Sequence, residues 1–100
     1  MSALANSVRD NRAAQRYEMD VAGKSAFITY RRSGDVVTLL HAEVPHELSG
    51  RGVGSALVQG TLELARSQGQ KVVPRCPFIA NYIKKHTQFQ DLLAAGESLT

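Results

Sequence analysis

The sequence is short of the features that mark secretion, membranes or metals. It holds one cysteine, Cys76, in 100 residues. That excludes an internal disulfide and points to a reducing compartment. No apolar run approaches membrane-spanning length. The opening MSALANSVRDNRA lacks a signal-peptide hydrophobic region, so a cytoplasmic protein is expected. There is no long basic run. A net charge of +3 suits an anionic small ligand as well as it suits nucleic acid. The absence of an aromatic stacking pattern and of a recognition-helix signature argues against nucleic acid. The three histidines, His41, His46 and His86, show no metal-ligand spacing, and no metal is expected. No internal repeat, low-complexity segment or linker interrupts the chain, and one domain over residues 8–95 is expected.

What is present describes a folded α/β chain. Hydrophobic residues make up 43% and charged residues 21%, enough for a modest core. Residues 1–13 are polar and small and read as frayed, with 1–7 disordered. Arg16–Ala22 alternates, placing Tyr17, Met19 and Val21 on one face. Gly23-Lys24 reads as a turn. Ser25–Arg32 reads as a second strand. Ser33-Gly34-Asp35 turns the chain again. Val36–Val44 follows as a third strand, its continuous apolar run predicting a central position covered on both faces. Connections this short predict an antiparallel meander.

Between Val44 and Ala65 the pattern changes. Gly50, Gly52 and Gly54 alternate just where a helix begins, and glycine lets a ligand approach the backbone closely. The first turn of a helix carries unpaired N–H groups and partial positive charge. Together these predict a phosphate or pyrophosphate site. The helix is expected from about Gly54 to Gln68, packed through Val53, Ala56, Leu57, Gly60, Thr61 and Leu64, and ended by Gly69. Lys71–Arg75 reads as a fourth strand, parallel to the third through a crossover, with Pro74 at a strand end or open edge. Pro77 opens another helix, with an apolar face of Ile79, Tyr82 and Ile83. Phe89, Leu92 and Leu93 suggest a last short helix.

The run HAEVPHELSGRGVGSALV, followed by KVVPRCPFIANYIKKH, resembles the GNAT superfamily of acetyl-CoA-dependent acyltransferases. It is most similar to that superfamily's short single-domain, YjdJ-type members, over residues 8 to 93. The resemblance implies a mixed sheet: antiparallel N-terminal strands, a βαβ crossover, then C-terminal helices. It also implies acetyl-CoA as cofactor. The pyrophosphate loop maps onto Ser49–Gly54, with Ser49 standing where the family has Gln or Arg. A second frame, Arg51 to Ala56, also fits but runs two residues further into the helix. By resemblance, the amides of Gly50, Arg51, Gly52, Gly54 and Ser55 face the pyrophosphate. The backbone of Val44 meets the acyl-pantetheine end, near a splay between parallel strands.

Acyl transfer needs a deprotonated nucleophile, a polarised carbonyl and a proton for the departing thiolate. His41 and Glu43 lie two apart on one strand and share a face, which the alternation assigns also to Val37 and Leu39. Such a pair suits general-base work. The alternative is a core histidine beside a rim carboxylate. Cys76 is placed at a strand end and helix start, a setting that favours the thiolate, and the resemblance puts it at the cofactor's reactive end. An inert buried thiol is the alternative. Tyr82 falls one residue off the position where larger relatives carry an acid, and reads as core. Asn81, Arg75, Lys84 and Lys85 are possible cofactor contacts or solvated surface. The expected activity is acetyl transfer to an unidentified amine, either a small molecule or a protein lysine. A second copy of the chain is a candidate to complete the acceptor groove. The alternative is a coenzyme-A-binding module without catalysis.

Overall fold

The computed structural model describes residues 7–97. Five strands form one sheet in sequence order: β1 Arg9–Asn11, β2 Arg16–Val21, β3 Lys24–Ser33, β4 Val36–Glu43 and β5 Lys71–Pro74. The first four are antiparallel neighbours, and β5 joins β4 in parallel. After β1, the described residues also hold two helices, α1 Val53–Ser67 and α2 Pro77–Lys85, and the 3-10 segments His46–Leu48 and Thr87–Leu92. This is the mixed sheet and crossover that the sequence predicts. No described helix is long and apolar enough to cross a membrane.

β1 departs from expectation, because part of the stretch read as frayed is ordered as a strand. Its three residues, Arg-Asp-Asn, have no apolar pattern. Side chains hold them instead. Arg9 donates to Glu18 Oε1 at 3.0 Å and Asn11 to Glu18 Oε2 at 3.2 Å. Tyr30 donates its hydroxyl to Asp10 at 2.6 Å. Burial alone would raise the Glu18 carboxyl, but hydrogen bonds from Arg16 and Asn11 and the nearby arginine charges hold it below its ordinary value. Residues 1–6 lie outside the described residues.

The β2–β3 hairpin turns on Ala22-Gly23, one residue earlier than Gly23-Lys24. Both have positive φ, 51° and 77°, as a two-residue turn matching strand twist requires. Ala22 takes that conformation without glycine's freedom.

The apolar core lies on one face of the sheet. Tyr17, Met19, Ala26, Ile28, Val37, Leu39 and Val72 present it to α1, which touches all five strands. α2 adds the fully buried Ile79 and Ile83. The buried side of α1 is wider than predicted: Val58, Leu62 and Ala65 join it, while Leu64 is half-buried. A stripe that broad is what a helix shows when a sheet and a second helix both cover it. Truncating any fully buried Leu or Ile here to Ala costs about 2–5 kcal/mol.

β4 differs most from its reading. Thr29 pairs with His41 but Tyr30 with Leu39, so Leu40 has no partner and forms a bulge. An extra residue reverses the inside–outside alternation beyond it. Val37 and Leu39 are buried, whereas Leu40, His41 and Glu43 are exposed, and Ala42 and Val44 return to the core side. The strand is therefore covered on one face, not both. His41 and Glu43 do not share the face of Val37 and Leu39. They lie opposite Thr29 and Phe27, on the side away from the helices.

Candidate functional site

Three elements meet at the end of β4. Pairing between β4 and β5 runs from Val36–Lys71 to Leu39–Pro74. One further hydrogen bond follows, from the Arg75 amide to the Leu39 carbonyl, 2.9 Å. Proline has no N–H to give, and it stands last in edge strand β5. Beyond that point β4 continues to Glu43 with β3 alone, and the chain after Arg75 leaves into α2. The two parallel strands thus part at the Leu40 bulge.

The loop after β4 delivers the chain to α1. Pro45 leads into the 3-10 turn His46–Leu48, which anchors the loop by burying Leu48. Ser49 turns its hydroxyl back onto the His46 carbonyl at 2.7 Å, so its side chain is spent within the loop. Gly50 and Gly52 have φ of 77° and 71°, left-handed values that other residues adopt at a cost. Gly52 is the residue from which α1 starts. The helix begins at Val53, so the frame Ser49–Gly54 spans loop and first turn, while Arg51–Ala56 would sit mostly inside the helix.

The start of α1 is left open. Its first intrahelical bond runs from Ala56 N–H to the Gly52 carbonyl, 3.0 Å. No side chain caps it, and its first turn holds no acidic residue. Among the described residues the amides of Gly50, Gly52, Val53, Gly54 and Ser55 have no backbone or side-chain acceptor outside the helix. The Arg51 amide is different: it leans toward the Leu48 carbonyl at 3.4 Å. The set implied by the resemblance has Arg51 and not Val53. The nearest loop carboxylate, Glu47, is drawn to Lys24 Nζ at 3.5 Å, leaving the amides' positive field unopposed from that side.

Gly54 is needed for a different reason from Gly50 and Gly52. A Cβ there would stand 3.1 Å from the Phe78 ring and 3.7 Å from Val44 Cγ2. It is the contact point between α1, α2 and the end of β4. Phe78 keeps 47% of its surface exposed and forms one wall of a groove of about 230 Å³, lined also by Ser55, Asn81, Tyr82, Lys85 and His86. Except for Ser55 these come from one side of α2 and its end. A groove beside unpaired amides fits a phosphate-bearing ligand with an extended, partly apolar arm.

Cys76 precedes Pro77 as the N-cap of α2, half-buried against the core, with no side-chain cap bond. Its position is at the mouth of the splay. His41 Nε2 and Glu43 Oε1 are 3.4 Å apart with about 60% of each side chain exposed (60% and 61%). This excludes the core-histidine reading of His41. Tyr82 lies half-buried over the core with its ring stacked on His86, centroids 3.8 Å apart. Burial first, and then the charge of Glu63, raise its hydroxyl above the ordinary value.

A family model described as GCN5-related N-acetyl-transferase matches residues 16–92. The chain belongs to the GCN5-related N-acetyltransferase family. The solution structure of a GCN5-like candidate N-acetyltransferase from Staphylococcus aureus superposes with a TM-score of 0.67 at 28% identity. The match covers 97% of this chain and 94% of that one, so the likeness extends across the whole fold, including the short C-terminal part. Family membership points to acyl transfer as the class of activity. Gly54, Val44 and Phe78 meet where β4 ends, and His41 and Glu43 lie on the other face of the sheet.

Proposed function

We propose that residues 8–95 act as one domain that moves an acetyl group from acetyl-CoA to an amine. The observation that carries this is the open start of α1, where unpaired amides border a groove and no carboxylate competes. Gly50, Gly52, Val53, Gly54 and Ser55 hold the diphosphate by backbone N–H groups. That mode does not depend on a Gln or Arg at position 49. The Val44 backbone and Phe78 flank the pantetheine arm. When bound, acetyl-CoA supplies the activated thioester.

The acceptor amine enters from the other side of the sheet. α1 lies on the apolar face, whereas His41 and Glu43 lie on the open one, with the gap between β4 and β5 connecting the two. The His41–Glu43 pair takes the proton that the amine loses. Cys76, at the α2 start, lines the reactive end. We assign direct transfer, without an acetyl-cysteine, because Cys76 is half-buried. A cytoplasmic setting suits both the lone thiol and the cofactor.

Three measurements test this. Amide NMR shifts of Gly50–Ser55 should move when coenzyme A is titrated into the full chain; unmoved signals at millimolar ligand overturn the reading. A thiol-release assay over polyamines, small amines and lysine peptides should find turnover. Tight binding with no turnover across that panel would favour the non-catalytic module. The Cys76→Ala variant should keep turnover within about tenfold of wild type. Complete loss, with acetylated Cys76 seen by mass spectrometry, would replace direct transfer by a two-step route.

A further inference from the structure

Coenzyme A carries a second anionic centre, the ribose 3′-phosphate, which dephospho-coenzyme A lacks. We infer that Lys85 binds this phosphate, so that the site discriminates between the two; the inference rests on the cofactor reading above.

The groove has a direction. Phe78, Asn81, Tyr82 and Lys85 recur at helical spacing along one side of α2, and residues so spaced form a continuous strip. Seven residues of helix span about 10 Å. Phe78 marks the end beside Gly54, Val44 and the splay. Lys85 marks the opposite end, where the nucleotide must lie if the thioester arm points to the splay. Ser55, a residue of the open first turn of α1, reaches the same groove and ties the diphosphate to it.

The charge is placed for this task. Of the six lining residues, Lys85 is the one lysine or arginine. It pairs with no carboxylate among the described residues. The C-terminus of α2 presents partial negative charge, which would repel a phosphate unless a lysine offsets it. Lys84, its neighbour, has the same charge and the same proximity to the helix end, but it does not line the groove. A lysine serving only the helix dipole could be either residue; a phosphate ligand must be Lys85.

The test titrates the full chain with coenzyme A and with dephospho-coenzyme A, reading heat or NMR shifts. Wild type should bind coenzyme A roughly three- to tenfold more tightly at low salt, as an exposed charge-assisted phosphate contact gives. The preference should shrink as salt is added. Lys85→Ala should bring the ratio within about twofold of unity, Lys85→Arg should keep it, and Lys84→Ala should keep it. Equal affinities in wild type, a ratio unchanged in Lys85→Ala, or an equal loss in Lys84→Ala would overturn the assignment while leaving the cofactor site intact. Binding of neither compound by wild type would overturn both.

Discussion

The two ends of α1 are built from the same residue type and finished in opposite ways. Gly52 before the helix and Gly69 after it both take left-handed φ, 71° and 70°. At the C-terminal end the Leu64, Ala65 and Arg66 carbonyls find donors within the chain. The Gly69 amide donates to the Arg66 carbonyl at 3.1 Å and the Gln70 amide to the Ala65 carbonyl at 2.9 Å, a Schellman closure. Behind it the buried Gln70 side chain faces the Arg32 guanidinium, which its amide oxygen accepts from when the amide is turned to suit both neighbours. At the N-terminal end nothing closes the helix. Comparable backbone chemistry thus yields stability where the protein supplies the partners and a row of free amides where it withholds them.

The sharpest way to break this contrast is to put a carboxylate at the open end. Ser55→Asp places a negative charge in a first turn that has none. It should stabilise the fold by about 0.3–1 kcal/mol through the helix dipole, and weaken coenzyme A binding by roughly tenfold or more through repulsion of the diphosphate. Thermal melting and calorimetric titration should therefore move in opposite senses. Affinity that rises or stays level would show that the open amides do not hold the ligand.

The closed end should respond in the reverse pattern. A Cβ at Gly69 meets nothing within 4 Å, so Gly69→Val is penalised through backbone conformation alone, by about 1–2 kcal/mol. For a chain of this size that lowers the melting temperature by roughly 4–8 °C per kcal/mol. The folded variant should keep wild-type coenzyme A affinity. A loss of affinity without a loss of stability would dissolve the distinction between the ends.

A finer test uses alkaline pH. Burial first, then the Asp10 charge, pushes the Tyr17 hydroxyl up to about 12; for Tyr30 burial and the hydrogen bond to Asp10 do the same, also to about 12. A tyrosine in the unfolded chain titrates near 10. The folded state then holds its protons longer, so this contribution is intact below about pH 10 and is lost as pH rises toward about 12. Urea unfolding across that window should show falling stability, and Tyr30→Phe should flatten the fall. A pH-independent midpoint would mean that the two buried hydroxyls do not support the fold.

Most of the chain's organisation was legible because its signals are local. Gly69 marks a helix end and Pro77 a helix start by their own backbone geometry. The glycine-rich loop, with an apolar strand before and an amphipathic helix after it, marks the open helix start. The misses have one cause. β1 is held by Glu18, Asp10 and Tyr30 across strands, and no pattern within Arg9–Asn11 records that. The Leu40 bulge hides in VVTLLHAEV because that strand is apolar at successive positions, so no period reveals the extra residue. The distal wall of the groove was visible only as scattered residues of α2, since its other side is the start of a different helix.

The sequence by itself determined where the backbone bends, where helices begin and end, and which loop offers bare amides, because those depend on each residue's own torsions and hydrogen-bonding groups. Only the tertiary structure decided which face His41 and Glu43 occupy, how far β4 and β5 stay together, and that Phe78 and Lys85 mark two ends of one groove. Those outcomes depend on pairing register and helix docking, in which one unpaired residue, Leu40, reverses the side of the sheet that every later residue of its strand presents.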